Sequence, residues 1–284
     1  MNLIQQEVVR IPNAFDEVSF EGRSIVRITR HNVDMAEMMI HYDSAYRKTA
    51  DPDAGPLFKR NHEMKYRGSS TYWMIQLKKY VITHEKTDYS YEDIIKYVVE
   101  SLDSENSTHI NSDNMGREVI EHRIVHFGVD RMLEGLKNPD GLELFDIIQQ
   151  NTGKESQEKG RHNPSFASKF CHYACMHLFD GTRYQDNYPI YDNVICSVLP
   201  LYQRYYGTKK HTFSIYTQTP DDRIPGLYRE YTAEIDEIIE KSGAGISRNA
   251  FDHLLWYYHK ARMYENEYHV ASPDENMDEL KRII

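Results

Sequence analysis

Lys169 and Asp192 are the two residues whose types and spacing suggest chemistry, an amine nucleophile with a carboxylate held near it. Lys169 lies in Asn163-Pro-Ser-Phe-Ala-Ser-Lys-Phe-Cys-His-Tyr-Ala-Cys-Met-His-Leu178. Wound at about 100° per residue, that run aligns Ala167, Phe170, Cys171, Ala174 and Leu178 into one apolar stripe and sets Lys169 opposite it. Partial desolvation and the positive end of the helix dipole both favour the uncharged amine, which is the nucleophilic form. The plainer alternative is a solvated surface lysine. Asp192 follows 23 positions later within Tyr188-Pro-Ile-Tyr-Asp-Asn-Val-Ile195, at or near the next helix start. A carboxylate there caps backbone N–H groups and is held rigidly, so capping and chemistry are compatible. Two consecutive helices joined by a short loop bring their N-terminal regions to one cleft.

Other reactive side chains surround the pair. Cys171, His172 and Cys175 share helical spacings, yet zinc takes four ligands and no partner pair is evident, so no metal is expected. The three cysteines, Cys171, Cys175 and Cys196, fit reduced thiols, and Cys171 falls on the core stripe. His162 and His172 are candidates for touching phosphate, although the chain has 14 histidines. Its 22 tyrosines fit packing better than base stacking, because Tyr202, Tyr205, Tyr206, Tyr257 and Tyr258 recur at helical core-and-rim spacings.

The elements that position these residues are mainly helices. Residues 1–30 alternate in short pieces, Glu7–Pro12, Glu17–Phe20 and Ser24–Thr29, and read as strands or extended arms. Residues 31–284 form the helical part, whose internal boundary the sequence leaves open. Asn32 is the expected cap of a helix over 33–47; Ala50–Pro56 is a loop, and another helix covers 70–83. Ser90-Tyr-Glu-Asp93 has the form of a capping box for a helix to about Leu102, with a loop over 103–113. Further helices are expected at 114–136, 141–150, 164–179, 190–206, 225–241, 248–265 and 273–284. Residues 151–163 form the clearest loop.

With 284 residues and 40% hydrophobic content the chain can bury a real core. No apolar run of about 18 residues exists, and Met-Asn-Leu-Ile-Gln-Gln-Glu lacks the regions of a signal peptide, so a cytoplasmic protein without membrane contact is expected. The net charge of −10 weighs against a nucleic-acid binder, but residues 154–210 carry +3 and the remainder −13. A nucleic-acid footprint is therefore expected in the basic part, on Lys159, Arg161, His162, Lys209 and Lys210.

The lysine followed by Pro-x-x-Asp resembles the helix-hairpin-helix DNA glycosylase superfamily, in particular its lyase-competent 8-oxoguanine and endonuclease III branch. That resemblance rests on about 36 residues, 160–195. It implies a mainly α, glycosylase-like fold with a small extended or β N-terminal part. It further implies a Schiff-base nucleophile at Lys169, a cation-stabilising aspartate at Asp192, DNA as partner and removal of a modified base. Chains similar to 8-oxoguanine glycosylases also accompany bacterial anti-phage operons, a setting the acidic balance suits. The family hairpin Pro-Gly-x-Gly is replaced here by Lys159-Gly-Arg-His-Asn-Pro-Ser-Phe166, and the four clustered cysteines of the iron–sulfur branch have no equivalent, so no cofactor is expected. The competing expectations are a non-catalytic binding or regulatory module on the same scaffold, and a glycosylase of RNA or a nucleoside.

Overall fold

The computed structural model describes residues 15–37, 69–106, 110, 116–150, 152, 162–208, 212–213 and 223–261. The expected pieces at 7–12, 50–56 and 273–284, and the continuations of helices past residues 37 and 261, lie outside them. Strands β1 (Glu17–Phe20) and β2 (Arg23–Val26) pair antiparallel with Val18 opposite Ile25. Their two-residue turn places Glu21 and Gly22 at positive φ, 49° and 75°, the handedness that matches strand twist. Helix α1 (30–37) follows at once. Its cap is Thr29 rather than Asn32: the Thr29 hydroxyl accepts from Asn32 N at 3.2 Å and its carbonyl from Val33 N at 3.0 Å. Asn32 is instead fully buried and staples the hairpin base, accepting from Asp16 N and donating to Asp16 O and Arg27 O.

Helix α2 (Ser70–Lys78) is capped by Ser69 and continues as a π-helical turn, Lys79–Thr83. Helix α3 (Tyr91–Asn106) opens with the expected box, Ser90 Oγ accepting from Asp93 N while Asp93 Oδ2 accepts from Ser90 N. It runs one turn beyond Leu102. The single helix expected over 114–136 is two, α4 (Gly116–Phe127) and α5 (Val129–Lys137). Gly128 makes the break: its φ of 88° is open to glycine and strained for other residues, so the chain turns there and restarts. Helix α6 (Glu143–Gln149), α7 (Pro164–Leu178), α8 (Asn193–Tyr206), α9 (Ile224–Ser242) and α10 (Arg248–Trp256, continued as the π-helical Tyr257–Ala261) complete the described chain.

The protein is thus mainly helical with a small two-stranded sheet near its N-terminus. Helix α7 is its axis: α2, α3, α5 and α6 pack around it, while α8 packs on α9 and α10, and α9 also meets α6. Eleven of the α7 residues are buried, including Ser168, Lys169 and His172. The one-sided stripe read from the sequence is therefore corrected. A stripe calculation counts serine, lysine and histidine as solvent-facing, but neighbours cover α7 on nearly all sides, so its polar residues are inside as well. None of the described helices is long and apolar enough to cross a membrane.

Candidate functional site

The site is built on the first turns of α7 and on the strand-like segment 188–192 laid across it. Four consecutive backbone groups of that segment are held by side chains from different elements. His172 Nδ1 donates to Tyr188 O at 2.8 Å, Tyr228 Oη to Pro189 O at 2.7 Å and Tyr231 Oη to Ile190 O at 2.6 Å. Tyr191 N donates to Ser168 Oγ at 2.9 Å. Each of these bonds satisfies a buried backbone group that an irregular segment would otherwise leave unpaired. The tyrosines also pack on one another, Tyr191 edge-on to Tyr231 with ring centroids 4.8 Å apart. With Ser168 bonded to Tyr191, the next residue on each side, Lys169 and Asp192, are brought into one neighbourhood.

Asp192 is the N-cap of α8, as its sequence position implies: its carboxylate accepts from Ile195 N at 3.0 Å. It is 9% exposed. Lys169, equally 9% exposed, takes part in no hydrogen bond or ion pair among the described residues. Burial pulls its ammonium below the ordinary lysine value; the charges of Asp192 and Asp252 work against that shift and Lys260 works with it. The result is an amine that loses its proton more readily than a surface lysine.

Asp252 on α10 is the residue that sequence reasoning missed. It is buried, its Oδ1 has no hydrogen-bond partner among the described residues, and burial first and the Asp192 charge second push its carboxyl up to about 8, against the pull of His253 and Lys169. The only signal was an acid flanking the apolar positions Phe251, Leu254 and Leu255, 60 residues beyond Asp192. Tyr173, one turn beyond Lys169, is pushed up to about 12 by burial and by the charges of Asp252, Glu105 and Asp192.

Of the expected nucleic-acid footprint, Lys159, Arg161, Lys209 and Lys210 lie outside the described residues, and His162 is half-buried just before α7. Thr208, the last described residue before Lys209, stands at the far end of α8 from Asp192, about 20 Å away by helix rise. His172 is a structural histidine, its pKa pulled down to about 4 by burial, which keeps the ring neutral while it binds Tyr188 O. Cys171, Cys175 and Cys196 are buried and unpaired, and burial pushes all three thiols up, away from nucleophilic or ligating behaviour. Among the described residues no group of three or more histidine, cysteine and acidic side chains could hold a metal ion.

A surface cleft of about 230 Å³, lined by Asp140, Tyr228, Arg229, Asp236 and Arg248 among others, includes none of Lys169, Asp192 and Asp252. Arg248 is already engaged there, forming a two-pronged pair with Asp236 and binding Asp186 O and Asn187 O. The turn 179–187 is also anchored through the backbone there: the Asp186 carboxylate accepts from Arg248 N at 2.7 Å and Asn249 N at 2.9 Å, capping α10 from a distant part of the chain. No protein-family model, curated protein or solved structure matches the chain.

Proposed function

We propose that the chain is an N-glycosylase with lyase chemistry that removes a modified or damaged base, most simply from DNA, with Lys169 as the amine nucleophile and Asp192 as the cation-stabilising carboxylate. The observation that supports this reading is Lys169 itself. It is a buried lysine in no ion pair among the described residues, its ammonium destabilised by burial, beside a carboxylate rigidly held at a helix N-terminus. A purely structural lysine at this depth would be expected to make a salt bridge.

The chemistry follows from those two groups. As the glycosidic C–N bond lengthens, its electron pair leaves with the base, which takes a proton from solvent, and positive charge builds on the sugar. Asp192 stabilises that charge, and such preorganised stabilisation is commonly worth about 3 kcal/mol. The neutral Lys169 Nζ forms the new bond to C1′ and sheds a proton. The sugar oxygen gains a proton as the C1′–O4′ bond opens, leaving a protonated imine on Nζ. Borohydride adds hydride to that imine and makes the link permanent. Incubation with DNA or RNA containing abasic sites or damaged bases, followed by borohydride, is expected to yield a covalent complex through Lys169. No adduct and no base release across a broad panel, free nucleosides included, would overturn the reading.

The near-complete burial of Lys169 favours a second reading, a binding or regulatory module on the same scaffold. Such a module binds its ligand without ever forming the adduct.

A further inference from the structure

Four elements meet around Lys169. Helix α7 supplies the lysine and, one turn on, Tyr173; the 188–192 segment supplies Asp192; helix α10 supplies Asp252, with Tyr231 of α9 closing the group. Within it Asp252 lacks a structural explanation. Asp192 caps α8, Ser168 holds Tyr191 and Tyr231 holds Ile190, whereas Asp252 Oδ1 is buried with no hydrogen-bond partner among the described residues. A carboxylate so placed is costly unless it is neutral or faces a cation. Two cations act on it, His253 and Lys169, and His253 is already paired with Glu37.

We propose that Asp252 is a third member of this centre, acting through Lys169 by switching the charge that faces its amine: neutral Asp252 leaves Lys169 free to act as a nucleophile, and ionised Asp252 holds it as an ammonium. This rests on the reading of Lys169 as a nucleophile. Low polarity penalises a charge on either residue, and Asp192 already supplies one carboxylate, so the second is the one kept protonated. The direction agrees: the Asp252 carboxyl is pushed up to about 8 and the Lys169 ammonium down, as expected when burial outweighs their mutual attraction. The other groups facing Asp252 do not abolish this. His253 pairs with Glu37 at 2.6 Å, and Tyr173 and Tyr231 are phenols whose ionisation burial suppresses. Lys260 adds a like charge facing Lys169 and also favours the amine. Asp252 is therefore a positioning residue that sets a charge and need not touch substrate.

The test requires no nucleic acid. The rate at which formaldehyde and cyanoborohydride methylate Lys169, read by peptide mass spectrometry from pH 6 to pH 10, reports its free amine. Wild-type protein is expected to give a broadened curve, because Asp252 ionises as the lysine titrates. Asp252→Asn should match wild type below about pH 7 and react at least threefold faster at pH 9, with Asp252→Glu restoring the broad curve. A single sharp step in wild type, or an Asp252→Asn rate changed equally at all pH values, overturns the proposal; the wild-type curve decides even if a variant fails to fold. Borohydride trapping on abasic DNA is run alongside. A shifted Lys169 titration without any adduct would refute the glycosylase reading alone, and an adduct with an unshifted titration would refute the role of Asp252 alone.

Discussion

The two halves of α7 bury polar groups for opposite ends. Toward its C-terminus, His172 and Cys175 each find a partner, His172 at Tyr188 O and Cys175 at Leu136 O, 3.6 Å away, and both are tuned toward inertness. Toward its N-terminus, Lys169 is in no hydrogen bond or ion pair among the described residues, and the carboxyl it faces on α10 has an oxygen without a partner. The same helix, with comparable burial, thus carries matched polar contacts at His172 and Cys175 and one buried polar group, Lys169, that is left open among the described residues. A matched set stabilises a geometry, while an open one stores a charge imbalance for a ligand or a reaction to relieve.

Mutations at the two ends should separate accordingly. The largest effect is expected from Lys169→Gln, which removes the amine and should abolish borohydride trapping. The fold should survive, because the change deletes a buried charge that has no ion pair among the described residues; a thermal midpoint within about 3 °C of wild type, roughly 1 kcal/mol for a chain of this size, is the check. Asp192→Asn comes next. Base release should slow by about 100-fold, corresponding to about 3 kcal/mol of lost cation stabilisation, while the weakened cap costs about 1 kcal/mol of stability. Equal losses of stability and rate would mean that Asp192 is only a cap.

A smaller effect distinguishes the two ends by pH. Asp252 is pushed up to about 8 in the folded chain, whereas a carboxyl in the unfolded chain titrates near 4, so between those values the native state binds the extra proton. Its contribution to stability therefore falls as pH rises from about 4 to about 8. His172 has the opposite sign: held neutral with its pKa down at about 4, it costs stability as pH falls from about 6.5 toward 4. Melting Asp252→Asn across this range should show a shallower decline toward pH 8 than wild type, with the acid side unchanged. The smallest effect belongs to the matched set. Tyr231→Phe removes one bond to Ile190 O and should lower stability by about 1 kcal/mol, as measured by urea unfolding, while leaving the pH profile of trapping in shape.

Much of the scaffold was legible because period and caps are local signals. Ser90 and Asp93 announced α3, Pro164 the start of α7, and Gly243 the end of α9, each through contacts within one turn. Gly128 was not legible as a break, since an isolated glycine is tolerated within a helix and only its φ of 88° reveals the turn. Asn32 misled for the same reason: a good capping residue was engaged by Asp16, 16 positions away. At the site, Lys169 and Asp192 could be named from spacing, but their burial depends on distant elements: α2, α3, α5 and α6 close around α7, and α9 and α10 pack on α8. Asp252 was hidden because its meaning comes from the residues it faces across the fold, and nothing in Phe251-Asp-His-Leu254 records them.

The cap that Asp186 places on α10 has a consequence for the order of events during synthesis. A helix start is ordinarily secured by its own neighbours, but the first amides of α10 are also met by a carboxylate made 62 residues earlier. While a ribosome is still elongating past α8, that carboxylate waits without its amides and Lys169 waits without Asp252. Both are completed only after residue 252 has left the exit tunnel. A nascent chain arrested before that point would carry a lysine facing one carboxylate instead of two, so assembly of the last described helix and arming of the centre would be a single late event.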